Sequence, residues 1–119
     1  MAGIRNLKLD REDYEFVGGE TNTFDREMVR FRIDGRYWRV LKQHEMKIFN
    51  EGQCQRIIRN YQLVNSLGDE KYLAVTEFFG CIRGIGTFEE VQVISELEDS
   101  LEESREAYKM WLDKRARKP

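Results

Sequence analysis

Proline is nearly missing from this chain: the one proline is the last residue, Pro119. Its elements must therefore be punctuated by glycine and polar turns. Histidine is as scarce, with His44 alone, and cysteine is limited to Cys54 and Cys81. Two cysteines make no disulfide framework. A single histidine without a CxxC pair argues against a structural zinc site. Both thiols read as small packed residues, not as a nucleophile paired with His44. No apolar run approaches the roughly 20 residues that span a bilayer. Residues 1–10 lack the apolar stretch of a secretory signal. The expectation is a cytoplasmic protein with no membrane contact. Internal repeats, low-complexity tracts and linkers are also missing, and no motif commits the chain to a cofactor.

What is present is enough for one modest core. The chain has 119 residues, 40% of them hydrophobic and 35% charged, which fits a single domain over 1–119 with a large solvated surface. The net charge of −2 averages over a marked segregation. Residues 26–59 carry nine basic side chains against four acidic ones, a surplus of five. Residues 89–106 reverse this, with eight acids against Arg105. Such a chain can turn a positive face to a polyanion while remaining near neutral overall.

The strongest local signal lies in 28–41. Two alternating runs flank Asp34-Gly35, a pair suited to a type I′ turn. The turn dictates the register: Ile33 faces Arg36, Phe31 faces Trp38 and Val29 faces Val40 on one side. Arg30 then faces Arg39, and Arg32 faces Tyr37, on the other. The first side belongs to a core. The second sets two arginines directly opposite each other, which costs stability unless acids or a ligand neutralise them. The acidic segment at 89–106 is the expected source of such acids.

Elsewhere the pattern predicts short strands around Leu7–Leu9 and Tyr14–Phe16 and a third strand over 44–49. Cys54, Ile57, Ile58, Tyr61 and Val64 or Leu67 recur at helical spacing, predicting an amphipathic helix over about 53–67 that ends at Gly68. Residues 71–79 read as a buried strand, and Gly80, Gly84 and Gly86 as a hairpin or glycine-rich loop. The C-terminal part carries two capping boxes, Thr87-Phe-Glu-Glu90 and Ser100-Leu-Glu-Glu103. The later one is preferred, giving a strand through Val91 and Val93 and then a charged helix over about 101–117. Together these make an α+β fold, a small antiparallel sheet built on the hairpin and packed against the 53–67 helix.

Three constellations carry functional chemistry. Arg30, Arg32, Tyr37 and Arg39, extended by Lys42 and Lys47, join guanidinium forks to an aromatic plane, which single-stranded nucleic acid binding requires. The acidic set Glu98, Asp99, Glu102 and Glu103, with Trp111 on the last helix, suits capture of a protein partner, in the manner of small viral inhibitors, or a homodimer contact through that helix. Asp34 followed by Glu45-Met46-Lys47 is similar to the D…ExK arrangement of the restriction-endonuclease-like superfamily. That resemblance implies two carboxylates on a divalent metal and a lysine that positions water. The turn position of Asp34 points it into solvent instead. The leading expectation is a non-enzymatic binding protein acting through the basic, aromatic face, with no catalytic or metal-ligating residue assigned.

Overall fold

The computed structural model describes residues 3–18, 26–51, 54–82, 84 and 86–116. Seven strands, β1 (Ile4–Leu9), β2 (Tyr14–Val17), β3 (Glu27–Ile33), β4 (Arg36–Glu51), β5 (Cys54–Val64), β6 (Glu70–Ile82) and β7 (Gly86–Ser95), precede one helix, α1 (Leu101–Ala116). They form a single antiparallel sheet in the order β1-β7-β6-β5-β4-β3-β2. Strands β2 to β7 are a continuous meander, and β1 returns to the far edge beside β7. Only a 3-10 turn, Arg11–Asp13, links the two edge strands in sequence. The sheet therefore curls into a half-barrel whose edges approach without pairing.

Its concave side holds the main core. Leu9, Tyr14, Met28, Phe31, Ile33, Trp38, Tyr61, Leu63, Leu73, Val75, Val91 and Val93 meet there, so every strand contributes at least one side chain. The convex side is covered in part by α1. Ile58, Ala74 and Ile94 pack against Tyr108 and Trp111 of the helix, with Ile4, Phe49 and Leu112 at the margins. Ser100 caps the helix: its hydroxyl accepts the Glu103 amide at 3.2 Å and donates to the Glu103 carboxylate. The later capping box is thus the one used, and the Thr87 segment is backbone of β7.

The 28–41 region adopts the register expected from its turn as far as Arg30, whereas the expected Val29–Val40 pair is not formed, because the ladder is irregular beside Val29 and Met28 enters the core instead. Arg30 stands opposite Arg39, Phe31 opposite Trp38, Arg32 opposite Tyr37 and Ile33 opposite Arg36. Asp34 and Gly35 take φ of 54° and 80°, the left-handed values that a type I′ turn needs. Strand β4 does not stop at Leu41. It runs on through the segment expected as a separate third strand, absorbing irregularities between Val40 and Lys42 and between Gln43 and Glu45. The hairpin is therefore one end of a seven-stranded sheet, not the nucleus of a small one.

The helix expected over 53–67 is instead strand β5. Its apolar positions satisfy two periodicities at once. Ile57, Tyr61 and Leu63 alternate onto the concave side, while Ile58 faces α1. A strand buried on both faces loses the alternation that identifies strands, and its residues fall into apparent helical spacing. Pairing with β4 on one side and β6 on the other, along its whole length, decides the outcome. Gly52 and Gln53 lie outside the described residues, as do Arg83, Ile85 and the last three residues. Among the described residues no helix is long and apolar enough to cross a membrane.

Trp111 is 7% exposed and lies between Arg56 and Arg115, whose guanidinium carbons sit 5.6 and 5.0 Å from its ring centre. Trp111→Ala should lower stability by about 3 kcal/mol or more, read from chemical denaturation. A loss under about 1 kcal/mol would show that this contact does not hold α1 to the sheet.

Candidate functional site

Helix α1 covers the convex face over β5, β6, β7 and β1. Among the described residues α1 does not extend over the part of that face formed by β2, β3 and the first half of β4, and Arg30, Arg32, Tyr37, Arg39 and Lys42 lie on it. Two of its arginines are already matched. Arg30 pairs with Glu15 at 3.5 Å, directly across the β2–β3 ladder, and its guanidinium carbon lies 5.0 Å from the Tyr37 ring centre. Arg32 pairs with Asp13 at 2.7 Å, and this contact holds its pKa above the ordinary value. The neutralising acids therefore come from the strand and turn beside the hairpin, not from the 89–106 segment. Their acidity was visible in the sequence; their position was not, because β2 gives only a four-residue signal.

Arg36, Arg39 and Lys42 are exposed and have no carboxylate partner among the described residues. A groove of about 570 Å³ opens beside them, lined by Arg30, Arg36, Tyr37 and Arg39 from the hairpin and by Val64–Leu67 from the β5–β6 turn. Lys47 belongs elsewhere. It lies further along β4, opposite Ile58, with its ammonium 5.2 Å from the Tyr108 ring centre of α1. The structure thus brings Arg30, Tyr37 and Arg39 to one groove and keeps Lys42 on their face; Arg36, opposite Ile33 on the other row of the hairpin, lines the groove from the turn end, and Lys47 is separated.

The acidic set is largely engaged within the fold. Glu98 is buried. Its carboxylate accepts the Gly3 amide at 3.1 Å, and its backbone exchanges two hydrogen bonds of 2.8 Å with Tyr72. Asp99 pairs with Lys71, which holds its carboxyl below the ordinary range. Glu103 serves the helix cap, and Trp111 packs on its own sheet. Asp99 and Glu102 are the exposed members of the five.

The Asp34, Glu45, Lys47 set does not converge. Asp34 sits on the turn and accepts two hydrogen bonds from Arg5, at 2.9 and 2.5 Å, which hold its carboxyl below the usual range. Glu45 lies nine positions along β4 from the strand's start at Arg36, roughly 30 Å of extended chain, and its side chain lies outside the described residues. Among the described residues no cluster of three metal-ligating side chains occurs. Cys54 is a free, half-buried thiol at the far tip of β5, whereas His44 meets Gln62 at 2.9 Å and leans on Tyr72. The side chain of Cys81 lies outside the described residues.

One cluster escaped the sequence reading. Inside the half-barrel, Arg59 lies 3.0 Å from Glu77 and donates to Gln43 at 2.8 Å. The Tyr61 hydroxyl donates to Glu77 at 3.0 Å. Beside them Tyr14 donates to Glu89 at 2.6 Å, and Arg26 pairs with Glu89 while lying between the rings of Phe16 and Phe79. The only trace in the sequence is a charge inside each apolar run, Arg59 after Ile57-Ile58 and Glu77 before Phe78-Phe79. Arg59 is 3% exposed and Glu77 fully buried. Solvent is shut out from both, so the pair offers no approach to a substrate. Compared with known proteins, the chain matches no family model, no curated protein and no solved structure.

Burial pushes the Glu77 carboxyl up from 4.5 to about 7, against the pull of Arg59 and the Tyr61 hydrogen bond. The folded protein therefore holds this proton to higher pH than the unfolded chain does. Its contribution to stability is complete below about pH 4.5 and is lost as pH rises to about 7. Glu77→Gln should flatten the decline in stability across that window, measured by denaturation at successive pH values. An unchanged slope would place the titrating group elsewhere.

Proposed function

We propose that this chain is a non-enzymatic binding protein whose basic convex face meets nucleic acid or another polyanion. One observation carries the reading: Arg36 and Arg39, which have no carboxylate partner among the described residues, border a groove that also holds Tyr37. Burying a guanidinium against carboxylates, as happens to Arg26 and Arg59, serves the fold. Leaving guanidiniums exposed and clustered leaves their forks available for phosphate oxygens. Arg30 and Arg32 frame the site at lower net charge because Glu15 and Asp13 stand beside them. Capture of a protein through Glu98, Asp99, Glu102, Glu103 and Trp111, or a homodimer through α1, has less support, since four of these five side chains already hold the fold together.

Titration of labelled single-stranded RNA and DNA at increasing salt tests the proposal. Affinity should fall as salt rises, with a slope set by the number of phosphates contacted. Replacing both Arg39 and Lys42 with alanine should weaken binding and reduce the slope of log K against log salt by about 1.4, from about 0.7 per phosphate contact on a single strand. Arg32→Ala should do less, its charge being matched by Asp13. Binding that is absent at low salt, or unaltered in the double variant, would remove the reading.

A further inference from the structure

The β5–β6 turn contributes the one part of the groove that is not basic. Leu67 stands at its tip and is 79% exposed, the most exposed large hydrophobic side chain among the described residues. The turn that presents it is held firmly. The Asn65 side-chain oxygen accepts the amides of Leu67 and Asp69 at 3.0 and 2.9 Å, and its amide group donates to the Asp69 carboxylate. Gly68 donates to the Asn65 carbonyl at 3.1 Å and takes a φ of 88° that suits glycine. An apolar side chain exposed this far gains nothing for the fold, yet four hydrogen bonds fix the loop that carries it.

Also lining the groove is Tyr37, 53% exposed, with the Arg30 guanidinium carbon 5.0 Å from its ring centre. The groove is thus bordered by an aromatic plane, by Leu67 and Val64, and by the guanidiniums of Arg36 and Arg39. Its volume lies within the roughly 300–1,000 Å³ of ligand pockets. A ligand matching this set has a flat apolar body with anionic groups at its sides.

We infer that the groove takes one unstacked base of a single-stranded nucleic acid, laid between Tyr37 and Leu67, with flanking phosphates on Arg36 and Arg39. A duplex keeps its bases stacked within and offers phosphate alone, so it uses the charges and leaves the apolar walls unfilled. This inference rests on the polyanion reading above and narrows it to one ligand form.

The test compares fluorescein-labelled oligo(dT) and oligo(U), the matching duplexes and inorganic polyphosphate on the intact chain. Single strands should bind at least tenfold tighter than duplexes. Tyr37→Ala and Leu67→Ser should each weaken single-strand binding severalfold to tenfold or more while leaving polyphosphate binding unchanged. Tyr37→Trp should restore it. Both positions are exposed, so circular dichroism should report an intact fold in each variant. Equal affinity for single strands, duplexes and polyphosphate, with no effect of either substitution, would overturn the base pocket and leave the electrostatic reading standing. No binding of any of these probes at low salt would overturn both.

Discussion

A seven-stranded sheet whose edges do not pair must be held curled by something other than its ladder of hydrogen bonds. Here the constraint is the concave core, which draws side chains from all seven strands. Each apolar side chain withdrawn from water there contributes about 1.5–3 kcal/mol, and flattening the sheet would expose them together. Among the described residues the seam between the edges is bridged by the short turn at Arg11–Asp13 and by side chains that reach across it, with Arg5 on β1 gripping Asp34 of the β3–β4 turn. The hairpin's orientation, and with it the groove, follows from this curl.

The same curl creates the polar cluster in the interior. As the strands converge, alternate positions of β5 and β6 must point inward whether or not they are apolar, and Arg59 and Glu77 occupy two of them. A buried ion pair seldom gains stability over apolar packing, because desolvation offsets the attraction. What it supplies here is partial compensation of two charges that would be costlier alone: Tyr61 and Gln43 add hydrogen bonds, while Arg59 Nη2 and Glu77 Oε1 have no hydrogen-bond partner among the described residues. The outer surface is divided by a simpler rule. Strands with apolar residues on both faces need a second cover, which α1 provides. The hairpin strands bury one face in the concave core, α1 does not extend over the other, and the candidate site lies on that remaining surface.

How far all this is legible in the residues depends on the range of the interactions involved. The Asp34-Gly35 turn fixes its flanking register through φ alone, so the cross-strand pairs could be read directly. The Ser100 cap is equally local. Strand β5 was misread because burial on both faces erased its alternation, a fact set by β4, β6 and α1 and by nothing within the segment. The basic face was legible as residue types, but its partners were not. Glu15 reaches Arg30 because β2 pairs with β3, and Leu67 reaches the groove because the β5–β6 turn lies beside the hairpin. Both are products of topology.

Strand β1 precedes the meander in the chain and is among the last elements of the sheet that can be placed. Its ladder partner among the described residues, β7, lies more than eighty residues later, so β1 must wait through synthesis of the whole meander. Contacts of such sequence separation form slowly, because their loop-closure entropy is lost before any burial repays it. Until β7 arrives, Leu7 and Leu9 have no core to enter. The Glu98 carboxylate on the Gly3 amide and the Glu96 amide on the Gly3 carbonyl then act as a late latch. The N-terminal strand is in this sense a closing element: the last part of the sheet to dock, and the first that thermal fraying would release.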